Sequence, residues 1–193
     1  MSFLKDGLSY LGESYWGLPN TKEDQVKILD KGNLYFKWGN EKGELLDYLE
    51  AFNSFRGLDL SQESHSIKYD IYEKIFISLA EILKLRLKRA VENFDFLCQQ
   101  RIKIELRDMN FKKELNNVMV EFMDFEKNYF TALDQAKVEL IEEEVDDDYK
   151  DIRKNLIEGA EAKMVDVEHG IQAFYHRVKT YVVEDKTAKG KES

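Results

Sequence analysis

The apolar positions of this chain fall into long runs with helical spacing. The cleanest is Ile157, Ala160, Met164, Val167, Ile171, Phe174, Val178 and Tyr181, which advances by alternating steps of three and four. An α-helix returns to one face every 3.6 residues, so these steps line one seam, and a strict seven-residue repeat makes helices wrap around each other. Two earlier stripes have the same character. One is Phe76, Leu79, Leu83, Leu87, Ala90, Val91, Phe94 and Leu97; the other is Leu115, Val118, Phe122, Phe125, Tyr129, Leu133, Ala136 and Leu140. Pro19 is the only proline, so nothing after it removes a backbone donor or forces the chain out of helical geometry. The pattern predicts an all-α protein built as an elongated antiparallel three-helix coiled coil.

Element boundaries follow from caps and breakers. Thr21, with Asp24 three residues on, forms an N-terminal cap, and a helix is expected to follow. Gly32, Gly39 and Gly43 weaken it, each by roughly 1 kcal/mol relative to alanine. NLYFKW (33–38) has strand-like composition but no second strand to pair with, so a kinked or interrupted helix is predicted, running to about Phe55 with Gly57 as its stop. Residues 58–66 read as a linker rich in cap residues. Between 101 and 110 the apolar positions 102, 104 and 106 alternate, out of step with both flanking stripes. That irregularity is either a kink in one helix of nearly 80 residues or a tight break near Asp108 and Asn110. The run EEEVDDD (142–148) is a turn whose aspartates cap a third helix over about 149–184. Residues 185–193 are expected to be a disordered tail. Ahead of the 22–184 domain, residues 1–15 include an amphipathic segment with Phe3, Leu4, Leu8 and Leu11 on one face. It reads either as a terminal helix docked on the bundle or as a segment that orders on a membrane or partner.

The net charge of −9 argues against nucleic acid as a partner, yet it conceals an asymmetry. Residues 84–113 hold nine Lys/Arg against four acids, whereas 114–151 hold thirteen acids against Lys127, Lys137 and Lys150. The basic region either pairs with its acidic neighbour along an antiparallel coil or meets phospholipid headgroups. No stretch approaches 18 uncharged apolar residues, and the N-terminus lacks the pattern of a secretion signal, so cytoplasmic residence is expected.

Candidate chemistry is sparse. Cys98 lies on an apolar stripe and reads as a small buried hydrophobe. His169 and His176 fall outside the seam of the third helix, on its solvated face, and His65 sits in the linker without a partner. The acidic run lacks the glycine and spacing of an EF-hand loop. Phosphate loops, nucleophile elbows and paired cysteines are absent from the sequence. No catalytic residue, metal site or cofactor is predicted, and the chain is expected not to be an enzyme.

Two local stretches carry a family resemblance. Arg101, Lys103 and Arg107 lead into Asp108, Met109, Asn110 and Phe111, and the third helix runs through Gln172, Ala173, Phe174, Tyr175, His176 and Arg177. With the long-helix layout, these stretches resemble a BAR domain. The resemblance implies three long kinked helices, a homodimer, and a non-enzymatic scaffold on anionic membranes that senses or shapes curvature. It makes residues 1–15 similar to the extra membrane-wedging helix. Lipid contact is then expected from Phe3, Leu4, Leu8, Leu11, Lys84, Arg86, Lys88, Arg89, Arg101, Lys103 and Arg107. The expected oligomer seam is Ile157, Met164, Val167, Ile171, Phe174 and Val178. The alternative is a coiled-coil adaptor or assembly subunit that binds protein partners without touching lipid.

Overall fold

The computed structural model describes residues 21–102, 108–142 and 144–189, and all the regular structure among them is helical. In chain order the helices are α1 (Lys22–Lys42), α2 (Leu45–Arg56), α3 (His65–Ile102), α4 (Asp108–Glu142) and α5 (Asp147–Lys189). The expected amphipathic segment at 1–15 lies outside the described residues, as do Lys103, Arg107 and the end of the tail.

Local chemistry sets the first two boundaries. Thr21 is extended, and its Oγ1 accepts from the Asp24 N–H at 3.2 Å while donating to the Asp24 carboxylate at 2.7 Å. That reciprocal pair satisfies one of the orphan donors at the start of α1. At the other end Gly43 takes φ 69°, and its N–H returns to the Gly39 carbonyl at 2.7 Å. Glycine adopts that left-handed conformation without a Cβ penalty. The break is sharp enough to reverse the chain, so α1 and α2 form an antiparallel hairpin. NLYFKW is helical, inside α1.

Gly32 and Gly39 hold this hairpin together. A Cβ at Gly32 would lie 2.7 Å from the Phe55 ring, and one at Gly39 would lie 2.9 Å from the Tyr48 ring. The two aromatics of α2 therefore pack directly on the backbone of α1. Lys31 and Glu50 pair across the hairpin at 2.7 Å, and the Tyr48 hydroxyl donates to Asn40 at 3.1 Å.

The three long helices run up, down and up. Partners along α4 descend as α3 rises: Tyr72 donates to Glu139, Arg86 lies over Phe125, and Arg101 lies over Phe111. Partners along α5 ascend with α3, from His65 against Tyr149 to Phe94 against Phe174. The chain thus reverses between Ile102 and Asp108, where the sequence left kink and break open. A second reversal follows α4, whose terminal carbonyls at Leu140 and Ile141 both accept from the Arg153 guanidinium at 3.3 Å. Asp147 and Asp148 occupy the first turn of α5, where the helix dipole favours negative charge.

The hairpin covers the first half of α3. Lys74 reaches Asn33 of α1 at 2.9 Å and sits over the Phe55 ring of α2. This stretch of α3 is enclosed on several sides, and Leu79, Ile82 and Leu83 have no exposed surface. Each such side chain contributes about 1.5–3 kcal/mol of burial. One apolar core continues from there along α5 as far as Val182.

Candidate functional site

The residues expected to bind lipid divide into three groups. Phe3, Leu4, Leu8, Leu11, Lys103 and Arg107 lie outside the described residues. Lys84, Arg86 and Arg101 are engaged within the chain. Lys84 pairs with Glu81 at 2.6 Å. Arg86 is half-buried with its guanidinium 4.4 Å from the centre of the Phe125 ring, and burial pulls its pKa below the usual arginine value. Arg101 lies 4.6 Å from the centre of Phe111 and 5.8 Å from that of Tyr181. Stacking on an aromatic face is a favourable use of a cation that gives up part of its hydration. Lys88 and Arg89 are exposed, and Lys112 and Lys113 are exposed at the start of α4.

The expected oligomer seam lies inside a single chain. Met164, Val167, Ile171, Phe174 and Val178 are buried and Ile157 is half-buried, packed with residues of α3 and α4. Their apolar surface is consumed by the chain's own helices, which corrects its assignment to a contact between copies. At the α3–α4 turn, Phe94, Phe111, Phe122, Phe174, Tyr175 and Tyr181 make a chain of ring contacts with centroids 5.6–6.1 Å apart. Tyr175 donates a short hydrogen bond to Glu126, and Arg177 pairs with Asp95. Burial, followed by the Glu126 carboxylate, raises the Tyr175 pKa far above its usual value. Cys98 borders this cluster half-buried, and desolvation pushes its thiol pKa up. A raised pKa keeps the thiol protonated and poorly nucleophilic.

The histidines divide likewise. His169 and His176 are exposed on α5, whereas His65 is no linker residue: it opens α3 and packs against Tyr69 and Tyr149. Among the described residues, no group of three or more His, Cys, Asp or Glu side chains is placed to hold a metal ion. No described helix is long and apolar enough to cross a membrane. An open cleft of about 640 Å³ lies between the α2–α3 connection and α4, lined by Phe52, Phe55, Leu58, Ile75, Ala136 and Glu139 among others. Hydrogen bonds from Arg56 to Gln135 at 3.0 Å and from Tyr72 to Glu139 at 3.1 Å bridge its sides.

One surface was not anticipated. Val120, Met123, Val138 and Ile141 on α4 are 47%, 52%, 49% and 58% exposed. At 100° per residue these four share one face, turned away from the core stripe of the same helix, and Phe130 lies at the edge of that face, half-buried and packed partly against the core. The signal was present in the sequence as a second apolar series on a helix whose first series already fills the core.

No protein-family model, curated protein or solved structure matches this chain.

Proposed function

We propose that this chain is a non-enzymatic, cytoplasmic scaffold: an antiparallel three-helix coiled coil, braced by a helical hairpin, that acts as an assembly subunit by docking protein partners. The observation that carries this reading is the outward apolar face of α4. Apolar side chains in water are a standing source of binding free energy, about 25 cal/mol for each Å² covered. Headgroup binding draws instead on exposed cations, and two of the five described basic candidates, Arg86 and Arg101, are stacked on aromatic rings within the chain, while Lys84 makes an exposed pair with Glu81.

The BAR-like membrane scaffold is the second reading. It is favoured by the exposure of Lys88, Arg89, Lys112 and Lys113, where each cation near an anionic surface contributes about 1 kcal/mol. Sedimentation with phosphatidylserine-containing vesicles at low and high salt separates the two. The adaptor reading expects the protein in the supernatant under both conditions. Pelleting that weakens as salt rises would put the membrane scaffold in its place, because screening acts on exposed charge.

A further inference from the structure

We infer that the outer face of α4 is the contact between two copies of this chain, paired antiparallel about a two-fold axis that passes between Phe130 and Thr131. The inference builds on the scaffold reading and names the first partner as the chain itself. Val120, Met123, Lys127, Phe130, Asp134, Val138 and Ile141 lie within an arc of about 80° and along about 32 Å of helix. An interface with two-fold symmetry must be self-complementary: where one residue meets a second on the other copy, that second residue meets the first in return. This face meets that condition with a single register.

Placing the axis midway between Lys127 and Asp134 sets each Lys127 against Asp134 of the other copy, twice. The same register sets Val120 against Ile141 and Met123 against Val138, again twice. Phe130 then lies at the centre beside Thr131 of the other copy. Apolar layers therefore meet apolar layers, and the two charged positions inside the stripe meet opposite charge. Within one helix Lys127 and Asp134 are two turns apart, about 10 Å along the axis, too far to pair with each other. Asp134 is held in its own chain by Lys137 at 3.3 Å, but its side chain remains 69% exposed and can accept a second cation. Lys127 is exposed, and its backbone carbonyl is fixed by the Thr131 hydroxyl at 2.8 Å. The face opens to solvent because the inner side of α4 is already spent on α3 and α5.

Analytical ultracentrifugation of the full chain tests the pairing with Lys127→Glu, Asp134→Lys and the double reversal. Both substitutions are at exposed positions, and circular dichroism checks that helix content is kept. The wild type is expected to be a dimer. Each single reversal puts two like-charged pairs into the interface and should weaken dimerisation by about tenfold or more. The double reversal restores opposite charge across the axis and should return the dissociation constant to within about threefold of the wild type. A monomer at every concentration, a dimer indifferent to the single reversals, or a double variant no tighter than the singles would each overturn the pairing. A monomer would leave protein docking to other partners intact, whereas vesicle binding would displace the adaptor reading without affecting the pairing.

Discussion

Ile171 and His176 sit five residues apart on α5, one only 3% exposed and the other on the surface. Ile171→Asp places a carboxylate among apolar side chains, and an unpartnered buried polar group costs several kcal/mol. His176→Ala removes a solvated ring and should stay within about 0.5 kcal/mol. Thermal melts of the two variants should therefore separate widely, and equal losses would show the seam drawn on the wrong face. The α5 seam was legible because heptad spacing is a local property of sequence. Arg86 was not. Its position among basic residues looked like a headgroup contact, and only the arrival of Phe125 from α4 makes it a half-buried cation stacked on a ring.

The glycines belong to the scale of the helices. Sequence treats each as a weakness, yet their roles diverge once partner helices are in place. Gly159, in α5, has nothing within 4 Å of a Cβ built on it. Gly159→Ala should stabilise the protein by about 0.5–1 kcal/mol through helix propensity alone. Gly32→Ala should destabilise it, since the new methyl meets the Phe55 ring at 2.7 Å and the hairpin must open to admit it. Chemical denaturation of both variants measures the two signs, and two shifts in the same direction would contradict the packing of α1 on α2. The caps at Thr21 and Gly43 could be read from residue type, as their hydrogen bonds are local. The reversal near 103–107 could not, because a kinked helix and a broken one share the same apolar residues and differ only in which stripes they bury together.

At the scale of the molecule, one core stripe on α4 faces inward and a second apolar series faces out. A reading for the strongest periodicity finds the first and stops. The outer series, interrupted by Lys127 and Asp134, scores poorly as a seam until a second copy supplies the opposite charges. The up-down-up path of α3, α4 and α5 underlies every surface assigned to the protein, since it decides which face of α4 remains outside. Pulsed electron–electron distance measurement tests that path most directly. Spin labels at Arg89→Cys and Glu121→Cys, with Cys98 replaced by alanine, would mark two exposed positions that line the same small cleft between α3 and α4. Dilution with unlabelled protein removes distances between copies. Packed helices lie about 8–10 Å apart, so the folded-back path gives a short label separation, on the order of 20 Å once the label arms are included. A single helix continuing through 103–107 would hold the same positions about 48 Å apart, and a distance in that range would contradict the account.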